Sequence, residues 1–269
     1  MTSPALLLTV KILASMTALY MCMSPAPAMY RIYKGKSTGH MPALPLVAQW
    51  TYNHIWMLYG LLTAELFPLF TTYAVGCGLS VTFLGIFYYA ATREHRSYVL
   101  QLIASALLFN AATSCYAFLG PRVQQESQVV QITGFVAIGC GIALYASPFA
   151  TMRDVIRTKC SASIPIGMVA MGTISNATWI VYGTLQEDWF IVGPTVVNTV
   201  LCVAQLLLYV AYRSPARRKA VGRTEFGSES LSDSTFPHSQ SPCSEKNSEM
   251  SFVLVETPKT VFDGVADLA

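Results

Sequence analysis

Charge is what this chain lacks. Only 12% of its 269 residues are Asp, Glu, Lys or Arg, while 53% are hydrophobic. A soluble domain carries about twice that charged fraction, so a water-facing globule is excluded. The apolar residues form unbroken runs, not amphipathic stripes, and runs of about 20 residues cross a bilayer as helix. Acids are missing from these runs, which leaves no evident site for proton or sodium coupling. No catalytic constellation is present, and neither an enzyme activity nor a cofactor is expected. None of the seven cysteines (22, 77, 115, 140, 160, 202 and 243) forms a CxxC. Most lie within apolar runs and read as small buried residues, not as metal ligands or disulfides. A basic stretch ahead of the first run is also absent, so that run is expected to remain as a helix and not be cleaved. The net charge of +3 is no sign of a nucleic-acid partner, because the basic residues flank apolar runs, where they orient a membrane protein.

Seven spans are expected, at residues 5–29, 42–62, 66–91, 98–119, 128–152, 164–185 and 189–212. Alternate connections hold Arg31, Lys34 and Lys36; Arg93 and Arg96; Arg153, Arg157 and Lys159; and five further basic residues after the last span. The opposite loops hold one, Arg122. A bias of thirteen to one predicts the N-terminus outside and the C-terminus in the cytoplasm. Residues 213–269 are polar and Ser-rich, and are expected to be a disordered cytoplasmic tail. The apolar island Phe252-Val253-Leu254-Val255 within them is too short to span.

The chain repeats itself. Trp56-Met57-Leu58-Tyr59-Gly60 returns 123 residues later as Trp179-Ile180-Val181-Tyr182-Gly183. The same offset lays Ser147-Pro148 on Ser24-Pro25, and Arg157 and Lys159 on Lys34 and Lys36. One shift aligning three unlike words indicates duplication. The expected organisation is a first three-helix unit (1–91), a linker helix with its loops (92–127), a second three-helix unit (128–212) and the tail (213–269). The fold class is therefore an all-α membrane protein of seven helices in a 3+1+3 plan. Units of three helices are odd-numbered, so the extra helix keeps them parallel, and two parallel repeats leave a cavity between them.

Trp56 and Trp179 occupy equivalent places on spans two and six, about two turns before the outer loop. Two indole faces related by the pseudo-axis can sandwich a pyranose; the other reading is a pair of interfacial anchors in the outer leaflet. Pro25, Pro45, Pro148 and Pro165 lie in or near spans on the cytoplasmic half. Proline removes a backbone donor and kinks or breaks a helix, so four at one depth would make a hinge layer. The internal offset pairs Pro165 with Pro42 instead of Pro45. Lys11, a charge inside span one, reads as a snorkelling side chain, with the cavity near Thr17 and Met21 as the alternative. Tyr52, Asn53 and His54 make span two polar just before Trp56, and His54 is a weak candidate for a protonation switch. Asn176-Ala177-Thr178 fits a glycosylation sequon but lies inside a span and is rejected.

Several stretches resemble the SWEET (MtN3/saliva) sugar transporters. They are Ser24-Pro25 with Arg31-Ile32, Lys36-Ser37-Thr38, Tyr145-Ala146-Ser147-Pro148 with Met152-Arg153, Lys159, Ile164-Pro165 and Trp179-x-x-Tyr182-Gly183. Asp188-x-Phe190-Ile191-x-x-Pro194 and Gln205-Leu206-x-Leu208-Tyr209 follow. The likeness covers about residues 10–212, and the second repeat matches best. It implies a proline tetrad near the inner mouth, drawn from Pro45 and not Pro42, and a pocket residue at each tryptophan. It implies a Tyr59–Asp188 hydrogen bond closing the outer mouth. The family carries an asparagine on spans three and seven, where this chain has Tyr73 and Thr195. Both can still hydrogen-bond, and the tyrosine would narrow the pocket. Asn198, one turn beyond Thr195, offers an amide on nearly the same face; the other reading is a helix–helix hydrogen bond. Leu144 matches a position whose bulk follows sugar size, and it leans toward monosaccharides. A homo-oligomer is implied by resemblance alone.

The function expected is a bidirectional, energy-independent sugar uniporter working by alternating access, surrounded by membrane lipid. The plasma membrane is its expected host and an endomembrane the alternative. A PQ-loop-type transporter of another small polar solute shares the repeat plan, but Pro-Gln dipeptides are absent. A seven-helix receptor shares the topology but has no need of a duplication, and no Asp/Glu-Arg-Tyr word follows span three.

Overall fold

A computed structural model describes residues 3–39, 41–159, 161 and 164–212. The Ser-rich segment expected to be a cytoplasmic tail lies outside the described residues. Backbone groups in a bilayer core have no water to bond, so the chain must satisfy them within each segment. The regular structure described is accordingly helical: α1 (Pro4–Cys22), α2 (Ala26–Gly35), α3 (Leu44–Leu62), α4 (Thr71–Ala90), α5 (Arg93–Leu119), α6 (Glu126–Thr158), α7 (Ile166–Leu185) and α8 (Trp189–Ala211). The stretches Pro4–Gly35, Leu66–Ala90, Arg93–Arg122 and Trp189–Ala211 are each long and apolar enough to cross a membrane. The chain is a multi-pass membrane protein.

The prolines act differently from one another. The first expected span is broken: α1 stops at Cys22, and Pro25 heads a second helix, α2, that runs on to Gly35. Its counterpart Pro148 lies inside α6, which continues unbroken for 33 residues. Pro45 sits in the first turn of α3, and Pro165 immediately precedes α7. A proline there removes only an N–H that has no intrahelical partner. The four expected kinks are thus one break, one mid-helix proline and two helix starts.

Duplication is written in the backbone. Four non-glycine residues adopt left-handed φ: Lys36 (50°), Ala64 (58°), Lys159 (53°) and Glu187 (57°). They form two pairs, Lys36 with Lys159 and Ala64 with Glu187, each separated by 123 residues. L-residues visit this region rarely, so its recurrence at one offset marks the same two turns built twice. The lysines end α2 and α6; the other pair turns α3 into α4 and α7 into α8.

Helix contacts follow the same symmetry. α4 packs between α1 and α3, and α8 packs between α6 and α7. Between the halves, α1 lies on α7 and α3 on α6, while α4 and α8 do not touch among the described residues. α5 lies against α3, where His54 Nε2 meets the Asn110 carbonyl at 3.2 Å and Ser114 Oγ at 2.9 Å. His54 therefore faces the α5 helix and not the seam between the halves.

The helix–turn–helix junctions demand small residues. A Cβ on Gly60 would stand 2.7 Å from the Phe70 amide nitrogen, and one on Gly183 would stand 2.9 Å from Val192 Cγ2. Gly60→Ala is expected to cost about 1–3 kcal/mol through overpacking. Gly78→Ala, which meets nothing within 4 Å, should be neutral or stabilising. Thermal melts of the detergent-purified variants check both.

Candidate functional site

Each left-handed turn is followed at once by a carboxylate, Glu65 after Ala64 and Asp188 after Glu187. The turn sends that carboxylate back across the seam. Tyr59 on α3 donates its phenol to Asp188 at 3.0 and 2.9 Å. Tyr182 on α7 donates to Glu65 at 3.1 Å. Tyr59 and Tyr182 are 123 residues apart, as are Glu65 and Asp188. Each half therefore gives one phenol and receives one. Both tyrosines are fully buried. The acids also do local work: Asp188 caps α8, accepting from the Phe190 and Ile191 amides at 3.0 and 3.4 Å.

Lys11 breaks the symmetry. Its ammonium pairs with Glu65 at 3.1 Å and lies 5.9 Å from the centre of the Tyr182 ring; Gln186 donates to the same carboxylate. The residue 123 positions on is Gly134, which carries no counterpart charge. Lys11 thus neither hangs free in an interface nor lines the space near Met21. Beside these bonds lies an open cavity of about 390 Å³, bordered by Glu65, Gln186, Glu187, Asp188 and Trp189.

Below the crossed bonds the aromatic residues close ranks. Trp56 and Tyr73 stack with centroids 6.0 Å apart and planes 23° apart. Tyr73 also meets Trp179, at 5.8 Å and 36°. Tyr73 is therefore in contact with both tryptophans, in an aromatic slot between the halves. Tyr59 packs edge-on against Trp56 at 5.5 Å, and Tyr182 packs edge-on against Trp179, also at 5.5 Å. Tyr52 closes a further edge at 6.1 Å from Trp56. Trp56 Nε1 is buried with no hydrogen-bond partner among the described residues.

Polar side chains cross the helices at and below this level. Thr72 donates to Ser15 at 2.9 Å, Thr17 and Thr178 share a hydrogen bond of 3.3 Å, and Asn53 donates to Ser80 at 3.1 Å. Asn198 donates its amide to Asn176 on α7 at 3.1 Å, and Thr195 donates to its own helix at the Ile191 carbonyl. Asn198 is thus engaged in the helix–helix bond and Thr195 in a local one. Leu144 is half-buried on α6, outside the aromatic cluster. The structure brings Trp56, Trp179, Tyr73, Tyr59 and Asp188 together; Pro25, Pro45, Pro148 and Pro165 lie toward the other helix ends.

Sequence reasoning missed Tyr182, Glu65, Gln186, the partner of Lys11 and the matched pair Asn53 and Asn176. The signal was present, since the offset that carries Trp56 to Trp179 also carries Tyr59 to Tyr182, Glu65 to Asp188 and Asn53 to Asn176.

Burial raises the pKa of the Asp188 carboxyl, outweighing the Tyr59 phenol and the two amides that lower it; the negative Glu65 nearby adds to the rise. A carboxyl with a raised native pKa binds its proton more tightly when folded. It adds stability as pH falls toward the ordinary carboxylate range and loses it as pH rises through the raised value. The Asp188 contribution to the melting temperature is expected to grow as pH is lowered toward the ordinary carboxylate range. Asp188→Asn should lose its share of that slope in melts across the range.

The profile of the MtN3/saliva family, described as "Sugar efflux transporter for intercellular exchange", matches residues 8–95 and again 131–217. Among similar curated proteins, the bidirectional sugar transporter SWEET12 of Oryza sativa subsp. japonica is 29% identical over 219 residues, covering 81% of this chain and 72% of that one. SWEET10 of Arabidopsis thaliana, also named a bidirectional sugar transporter, is 26% identical over 80% of this chain and 74% of its own. A solved eukaryotic SWEET transporter shares the fold, with a TM-score of 0.69, 24% identity, and coverage of 77% of this chain and 96% of that chain. The two profile matches start 123 residues apart, the spacing already seen in the paired turns, phenols and carboxylates, and with well over half the chain matched the protein belongs to the MtN3/saliva (SWEET) family of transporters.

Proposed function

We propose that this chain carries a neutral sugar, of hexose size, down its own gradient in either direction. It does so as two parallel three-helix units joined by α5, with the N-terminus outside, in the plasma membrane. The relatives' names supply the substrate class, and the repeated contacts across the seam support the two-unit reading. The observation that carries the proposal is the aromatic slot on that seam, Trp56 and Trp179 both in contact with the Tyr73 ring.

In this reading the crossed bonds Tyr59–Asp188 and Tyr182–Glu65 close the outer mouth. Opening outward requires breaking Tyr59–Asp188 and Tyr182–Glu65 together. Charge-assisted hydrogen bonds contribute about 1.5–3 kcal/mol each. Because each latch tyrosine packs edge-on against a slot tryptophan, its departure also loosens the slot. The halves then rock about the other ends of the helices, where α1 breaks before Pro25 and α6 carries Pro148 within its unbroken length. A sugar ring replaces Tyr73 between the indole faces, and the unpartnered Trp56 N–H offers one hydroxyl a donor. Without an acid in the slot, the cycle needs no proton.

Tyr73 competes with the solute for the slot. Each aromatic pair contributes about 0.5–1.5 kcal/mol, so removing two pairs frees about 1–3 kcal/mol, roughly 5–150-fold in affinity. In proteoliposomes the protein is expected to exchange labelled hexose at equilibrium, unaffected by a proton ionophore. Trp179→Ala should lower that exchange by at least about tenfold, through loss of one slot wall. Tyr73→Ala should lower KM by about tenfold. No flux of any sugar across a broad panel, from folded protein, would sink the transport reading; an unchanged KM in Tyr73→Ala with flux intact would sink the competition alone.

A further inference from the structure

The two halves are not equally filled at their basic ends. In the first, Met29 of α2 and Leu84 of α4 are buried in one apolar cluster, 1% and 4% exposed. The counterparts 123 residues on are Met152 and Leu207. They border an open groove of about 710 Å³ between the last turns of α6 and α8. Leu207 is 65% exposed there, and Phe149 is 55% exposed. Ile156 and Leu208 complete the apolar wall, and Arg153 and Arg157, one turn apart on α6, line the same groove. Both arginines are exposed, and neither has an ion-pair partner among the described residues.

Two kinds of chemistry meet in this groove. Its walls are hydrocarbon, which suits neither a sugar nor a free phosphate. Its two cations are guanidiniums, whose forked donors match phosphate oxygens. An amphiphile with an apolar chain and an anionic head satisfies both. The excess of basic residues places this end at the cytoplasmic face, the leaflet that carries anionic lipid.

We propose that the α6–α8 groove binds an anionic phospholipid, with an acyl chain along Phe149, Ile156 and Leu207 and the phosphate between Arg153 and Arg157. The lipid supplies the filling that the cluster of α2, α3, α4 and α5 provides in the first half. It braces the part of α6 beyond Pro148 against α8. The proposal is independent of the solute carried and rests only on the cytoplasmic placement of this end.

The test is native mass spectrometry of the full-length chain released from detergent, with equal amounts of phosphatidylserine and phosphatidylcholine added. With about 1 kcal/mol gained for each of the two arginines near the headgroups, phosphatidylserine should be retained over phosphatidylcholine by about thirtyfold. The double variant Arg153→Gln, Arg157→Gln should lose the preference. Leu207→Trp keeps both charges but fills the slot, and it should lose retention of either lipid. Wild-type melting temperature and a single size-exclusion peak qualify each variant as folded. Equal retention of the two lipids by the wild type overturns the proposal. So does a preference that survives in Leu207→Trp, which would assign the effect to surface charge alone. Retention that emerges only when residues 213–269 are removed would give the groove to the chain's own C-terminal segment, and overturns it too.

Discussion

The structure depends on a crossed pair of hydrogen bonds. A tyrosine from each half reaches a carboxylate of the other, Tyr59 to Asp188 and Tyr182 to Glu65. A single contact of this kind would pin the halves at one point and leave them free to twist. Two, related by the duplication, define an edge. Because the same tyrosines pack against Trp56 and Trp179, that edge is continuous with the aromatic slot beneath it. The crossed bonds and the aromatic slot are therefore parts of one packed unit. Low polarity around the bonds strengthens them, and it equally penalises a half-open state in which a phenol or carboxylate stays buried alone.

A short piece of backbone makes this possible. The acid must leave the end of α3 or α7 and point back over the seam within a few residues, which a right-handed path does not allow. Ala64 and Glu187 take the left-handed conformation that turns it, and Gly60 and Gly183 let the following segment approach closely enough to hold the turn. Glycine would adopt such a φ without strain. The chain uses an alanine and a glutamate instead, so the conformation is held by its surroundings and not by residue preference.

Much of this was legible beforehand. Long apolar runs announce helices whatever their partners, and the WxxYG word with its offset located the paired tryptophans. The Tyr59–Asp188 contact followed from resemblance, and the narrowing by Tyr73 from its size alone. What stayed hidden was direction. Nothing in local pattern tells that Lys11 rises to Glu65, 54 positions away, or that Glu65 is a partner of Tyr182 and not a solvated loop acid. Likewise Asn198 is written as an amide near a pocket, but its neighbour Asn176 claims it. A helical repeat specifies which side chains share a face; which facing group reaches them first is decided by packing. The break before Pro25 and the unbroken helix through Pro148 make the same point, since one Ser-Pro word has two outcomes in two neighbourhoods.

The duplicated halves are chemically uneven at the end that carries the crossed hydrogen bonds. Glu65, Glu187 and Asp188 all border the cavity there, and Lys11 answers only the first of them. Acidic side chains thus outnumber basic ones around this vestibule. Such a field disfavours an anion and leaves a neutral solute unaffected. Under the transport proposed above, selection by charge would fall at the entrance and selection by shape in the aromatic slot beneath it.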